Sequence, residues 1–153
     1  MRAVVQRVHE ARVHVDGSMV GQIGLGLLAL LGICHGDGER QLTWLADKII
    51  GLRIFSDAQD KMSRSLRDVD GGLLVVSQFT LYGSVARGLR PDFQRAASKD
   101  QARPLYEAFV ARCRERGQAV ETGVFGARME VSLTNFGPVT LILDTDEVMG
   151  DGK

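Results

Sequence analysis

Two stretches of this chain carry residue types that could do chemistry: Ser77-Gln78-Phe79-Thr80-Leu81 and Asn135-Phe136-Gly137-Pro138-Val139-Thr140. The first follows the apolar run Leu73-Leu74-Val75-Val76. Ser77 or Thr80 could act as a nucleophile, but a hydroxyl needs a base to activate it. The sequence places no such base beside them. On spacing alone, the simpler reading is polar side chains that satisfy backbone groups at a strand end. The other reading is that the backbone does the work. N–H groups leaving a strand end can hold an oxyanion, and one donor is worth roughly 2.7–4 kcal/mol in the transition state. The second stretch reads as a turn between two strands. X-Pro bonds adopt the cis form at modest cost, and glycine lacks the Cβ that blocks close approach. The same residues could therefore present bare carbonyls in a fixed geometry.

Other chemistry is sparse. His9, His14 and His35 lack metal-ligand spacing, and Cys34 and Cys113 do not complete a zinc set with them. No GxGxxG, P-loop or GxSxG motif occurs. No metal and no cofactor are expected. Asp68 and Asp70 sit in a polar stretch where solvation is the default role.

The elements around these stretches read as mixed α/β, with strand-rich sheets and two main helices. Ala3–Val8 forms a first strand, and Ala11–Val15 pairs with Met19–Ile23 across an Asp16-Gly17 turn. Leu25–Cys34 is continuously apolar, as a central strand covered on both faces would be. Leu42, Leu45, Ala46, Ile49 and Ile50 recur at helical spacing over residues 39–50, and a short strand follows at 52–55. Residues 56–70 read as a loop, and 73–79 as a buried strand. Residues 82–97 form a long irregular loop, a type often functional. Ser98 caps a second helix with Gln101 as its capping-box partner, and Pro104 falls near its first turn. Met129–Leu133 and Val139–Leu143 are the last strands. Residues 1–144 form one domain, and 145–153 form an acidic, flexible tail.

Composition narrows the class. With 153 residues, 44% hydrophobic and 25% charged, the chain can build a core without staples. Its formal net charge is zero, which argues against a protein held to nucleic acid by bulk charge, and DNA is not an expected partner. Between Arg87 and Arg116, eight basic and four acidic residues leave a local excess of +4. By charge alone this is a solvated helix face. The longest apolar run, Ile23–Cys34, is too short to span a bilayer and starts too late for a signal peptide. Two distant cysteines fit a reducing cytosol. The expectation is a cytoplasmic protein with no membrane partner.

In their order along the chain, these stretches resemble the D-aminoacyl-tRNA deacylases of the bacterial and eukaryotic type. Ser77–Leu81 is similar to that family's first signature, and Asn135–Thr140 to its second, the Gly-cisPro motif. Val5-Gln6-Arg7-Val8, Arg53–Asp57, Lys61-Met62 and Gly88–Phe93 extend the likeness over nearly the whole chain. The resemblance implies a layered β/β/α fold and a homodimer with its sites at the subunit interface. It implies hydrolysis of the ester joining a D-amino acid to tRNA, releasing free amino acid and tRNA. Glycyl-tRNA mischarged on tRNA-Ala would also be a substrate. Backbone N–H groups of Gln78 and Phe79 would hold the oxyanion, Ser77 would shape the pocket, and Thr80 is the candidate hydroxyl. Gly137 and Pro138 would enter the partner's pocket and reject L side chains. Arg7 would hold their loop, and Met129 would line or support it. Arg87, Arg90, Arg95 and Lys99 would meet phosphates of the acceptor end. Two alternatives stay open: a small-ester hydrolase with Thr80 as nucleophile, and a non-catalytic tRNA-binding domain.

Overall fold

The first strand organises everything else. In the computed structural model, which describes residues 1–150, β1 runs unbroken from Arg2 to Val15. The expected strands 3–8 and 11–15 are therefore one. Its buried residues change phase midway: Ala3 and Val5 enter one core, and Val8, Ala11 and Val13 enter another. In a strand, such a switch of faces requires a slip in register. The slip falls at His9: from Val8 to Glu10 the first strand advances two residues while the last strand advances one.

The remaining elements are β2 (Ser18–Ile23), β3 (Gly26–Gly32), α1 (Glu39–Gly51), β4 (Phe55–Ser56), β5 (Met62–Arg64) and β6 (Gly72–Ser77). A 3-10 helix (Phe79–Tyr82), α2 (Lys99–Glu115), β7 (Val120–Thr122), β8 (Glu130–Asp144) and α3 (Thr145–Met149) complete the chain. The main sheet has the order β2-β1-β3-β6-β7, and β8 pairs with β1. β8 follows both halves of β1, so β2 and β3 must share β1's other edge. The β3/β6 and β6/β7 pairs are parallel, as helical crossovers require.

One face of the sheet is covered by α1 and α2. Leu45, Ile49, Phe109 and Cys113 are fully buried there against Val5, Ala29 and Val75. On the other face the sheet curls, and Leu28, Leu74 and Val76 pack with Val13 and Ile23. Gly21 permits the close approach of β2 to β7, since a Cβ there would collide with the Thr122 carbonyl. The mixed α/β class and the two-core layering agree with the sequence.

Three local readings change. The strand expected over 73–79 stops at Ser77, and the chain turns into the 3-10 helix. The polar loop 56–70 contains β5, which pairs with β4. The acidic tail is ordered at its start: Asp144 caps α3, and Thr145 N–H donates to the Met1 carbonyl at 2.9 Å. The rest of the tail, residues 151–153, lies outside the described residues.

Candidate functional site

A cavity of about 560 Å³ opens where β6 ends. Its floor is apolar, from Leu31, Ile33 and Val76. Ser77, Gln78 and Phe79 form one wall, and Phe125 to Ala127 with Met129 form another. Ser98 and Lys99, at the start of α2, stand at the rim. Sequence and packing explain this shape. Ser98 accepts from Gln101 N–H and so fixes where α2 begins, as the capping box predicts. Gly123 leaves room for Met129, whose Sδ would lie 2.5 Å from any Cβ at that position. Phe93, at the end of the Gly88–Phe93 stretch, packs edge-on against the half-exposed Phe79 ring at 5.1 Å.

The backbone at the end of β6 differs from expectation in one respect. Gln78 N–H donates to Leu31 C=O at 2.7 Å, extending the β3/β6 ladder by one bond. It is not free to hold an oxyanion. The next two N–H groups, of Phe79 and Thr80, open the 3-10 helix and have no hydrogen-bond acceptor among the described residues. Orphan donors of this kind are inherent to a helix start. Gly32 allows the turn to lie flat on β3, since a Cβ there would stand 3.1 Å from both the Gln78 carbonyl and Leu81 Cβ. The unengaged donors at this turn are therefore the N–H groups of Phe79 and Thr80.

Side-chain chemistry at the site is meagre. Gln78 Nε2 donates to Thr80 Oγ1, which places an amide donor beside that hydroxyl where a nucleophile would need a base. Burial pushes the Tyr82 hydroxyl and the Cys34 thiol above their ordinary pKa values, so both are neutral near pH 7. Among the described residues no group of three or more His, Cys, Asp or Glu side chains is arranged to hold a metal.

The Gly137-Pro138 pair lies elsewhere. The peptide bond is cis, and both residues are exposed. Neither lines the cavity. Nor do they form a turn between two strands. Both flanks belong to β8 and pair with the same strand: Asn135 faces Val8 and Thr140 faces Gln6. Residues 136–139 bulge outward opposite the single residue Arg7. Asn135 closes the base of this excursion, accepting from Val139 N–H at 2.8 Å and donating to Val139 C=O at 3.1 Å. Arg7, only 6% exposed, donates to Phe136 C=O at 2.8 Å and to Ile54 C=O at 2.6 Å. Its guanidinium also lies over the Phe136 ring, which stacks on His9. Gly137 has φ +142°, and a Cβ there would meet Val139 and the Arg7 guanidinium at 2.8–3.0 Å.

Of the residues singled out from sequence, Ser77, Gln78, Phe79 and Met129 meet at the cavity, while Arg7, Gly137 and Pro138 form a separate cluster. Thr80 is exposed beside the first group. Arg87 and Arg90 are exposed on the long loop, and Lys99 joins the cavity rim. Arg95 is already engaged, paired with Asp146 at 3.0 Å and lying over the Tyr82 ring. Phe125 at the cavity was not singled out; nothing local marks it.

The family model described as D-Tyr-tRNA(Tyr) deacylase matches residues 4–144. A D-aminoacyl-tRNA deacylase from Thermus aquaticus is 59% identical over 151 residues, covering 99% of each chain. One from Geobacter sulfurreducens is 57% identical over 145 residues, covering 95% of each. Among solved structures, a c-Myc DNA unwinding element binding protein superposes with TM-score 0.89 at 41% identity, covering 94% of this chain and 98% of the other. A structure described as a probable eukaryotic D-amino acid tRNA deacylase shares the fold, with TM-score 0.80 at 18% identity over 93% and 97% of the two chains.

Proposed function

The chain belongs to the D-Tyr-tRNA(Tyr) deacylase family, and from that premise we propose that it hydrolyses the ester of D-aminoacyl-tRNA by backbone catalysis. One observation carries the mechanism: two unengaged N–H groups, of Phe79 and Thr80, beside a cavity where, among the described residues, no lining hydroxyl is hydrogen-bonded to a base. Water adds to the ester carbonyl carbon. The carbonyl oxygen becomes an oxyanion and receives the Phe79 and Thr80 N–H groups. Collapse of the tetrahedral intermediate breaks the bond to the ribose oxygen, which takes up a proton originating from the water. Free amino acid and tRNA leave. The proton relay that the protein lacks is present in the substrate, whose vicinal 2′-OH is both donor and acceptor. A terminal 2′-deoxy tRNA hydrolysed at the full rate would sink that part of the mechanism. The Thr80-nucleophile reading is disfavoured, because Thr80 Oγ1 receives a hydrogen bond from an amide and faces no base.

Selection by chirality belongs to the Gly137-Pro138 excursion acting in a second copy of the chain. Three features support this reading. The excursion is exposed, it lies outside its own cavity, and β8 pairs on one edge only. Leu133, Leu141 and the 69%-exposed Ile142 along that strand offer apolar area for a homodimer. A wedge of backbone braced by Arg7 rejects an L side chain sterically. A deformable apolar pocket would separate such substrates by only about 1–3 kcal/mol. Glycine carries no side chain to reject, so glycyl-tRNA passes. Arg87, Arg90 and Lys99 would meet acceptor-end phosphates; Arg95 would have to leave Asp146 to join them. No helix among the described residues is long and apolar enough to cross a membrane.

Parallel hydrolysis of D-tyrosyl-, L-tyrosyl- and glycyl-tRNA tests the proposal. The D and glycyl esters should be cleaved and the L ester spared. Equal rates for D and L would overturn the wedge, and binding without turnover would overturn the enzyme.

A further inference from the structure

Oxyanion donors work only if their direction is fixed before the reaction, because a group that must reorient forfeits much of its stabilisation. The Phe79 and Thr80 N–H groups belong to a single turn of 3-10 helix, too short to fix itself. One end of that turn is held by the Gln78 bond to Leu31. At its other end stands the Leu81 carbonyl, which receives Arg2 Nη1 at 2.9 Å. Arg2 is in turn held by Asp144, whose Oδ2 lies 2.8 Å from Nε and 2.6 Å from Nη2. Asp144 is buried, and its second oxygen accepts from Asp146 N–H at the start of α3. The next ring along, Tyr82, is buried between two guanidinium groups, Arg2 at 5.0 Å and Arg95 at 5.5 Å from its centroid. Arg95 pairs with Asp146. Both cations near Tyr82 are thus neutralised by acids at the junction of β8 and α3.

We propose that Arg2 and Asp144 are positioning residues for hydrolysis: they hold the Leu81 carbonyl and so aim the Phe79 and Thr80 N–H groups. The proposal rests on the deacylase reading given above. An ordinary surface ion pair would contribute little to stability and nothing to turnover. Here the guanidinium fork spans a carboxylate and a backbone carbonyl at once, a double contact that a single Lys ammonium reproduces only in part.

The test uses the full chain, D-tyrosyl-tRNA and amide hydrogen exchange. Arg2→Met should lower kcat by about tenfold or more while KM stays within about twofold, the split expected when only the transition state loses stabilisation. Asp144→Asn, the milder change, should move kcat in the same direction, and the double variant should be no slower than Arg2→Met alone. Arg2→Lys should recover part of the loss. Exchange should rise in peptides covering Phe79–Tyr82 and stay unchanged across α1. A kcat within about twofold of the parent in both single variants would overturn the proposal. So would unchanged exchange at Phe79–Tyr82, or a rise spread equally over α1. If Arg2→Met does not fold, Asp144→Asn decides. The exchange measurement needs no turnover, so an inactive parent protein would overturn the deacylase reading while exchange still decided whether the clamp holds the turn.

Discussion

The end of β6 and the bulge in β8 both present backbone rather than side chains, but they are held in opposite ways. The end of β6 grows out of the core. Its last ladder bond runs to β3, the 3-10 turn that follows is tied at the Leu81 carbonyl by Arg2, and the residues before it are buried. The bulge in β8 stands out from an edge and is braced from beneath by one buried guanidinium and one asparagine. What separates them is the direction in which the polar groups face. At β6 the free groups are donors, suited to a developing negative charge. At the bulge Nε and Nη1 of the buried Arg7 are engaged by carbonyls, and what faces outward is shape. A reaction needs the first, and a filter needs the second.

The comparison breaks first at β6 if the donors are irrelevant. Phe79→Pro removes one N–H and the ring, whereas Phe79→Ala removes only the ring. The first should be slower than the second by roughly 100- to 1,000-fold in kcat, ~2.7–4 kcal/mol. Equal kcat values for the two variants would show that the N–H does not act. At the bulge, Arg7→Met strands the Phe136 and Ile54 carbonyls, each costing about 1–3 kcal/mol when buried without a partner. A stability loss of roughly 2–4 kcal/mol, read as a Tm fall of roughly 5–15 °C, should follow. An unchanged melting curve would mean that the brace is ornamental. Gly137→Ala forces a Cβ against Val139 and Arg7 at a φ that L residues rarely adopt. Its effect should fall on selection: the D-over-L rate ratio should drop about tenfold, ~1.4 kcal/mol, with the D rate changed less. A constant ratio in parallel assays would separate the bulge from chirality. The smallest effect is expected at Tyr82, whose buried hydroxyl has no hydrogen-bond partner among the described residues. Tyr82→Phe keeps the ring between its two guanidinium groups and should leave Tm unchanged or slightly higher, since an unpaired buried hydroxyl contributes no stability.

Features set by local chemistry were legible in the sequence. Ser98 with Gln101 announced the start of α2, and the spacing of Leu42, Leu45, Ala46 and Ile49 announced the buried face of α1. The cavity wall at Ser77–Phe79 was legible because a buried strand visibly ran out there. Features set by pairing were not. Whether Gln78 N–H is free depends on Leu31, in a different strand. Met129–Leu133 and Val139–Leu143 look like two strands joined by a turn, and alternation cannot say whether they pair with each other or in line with a third. β1 read as two strands for the same reason, since its register slip at His9 interrupts the alternation. Arg2 and Asp144 gave no signal at all, because an arginine and an aspartate near opposite ends of a chain look like surface charge.

The bulge also bears on what β8 is prevented from becoming. A fifteen-residue strand with one free edge and exposed Leu133, Leu141 and Ile142 is a template on which further strands could add without limit. Residues 136–139 break that template into two short runs that lie out of step with each other. An incoming strand that matched one run would be mispaired on the other. The excursion therefore guards this edge against open-ended addition of strands that lack the same interruption.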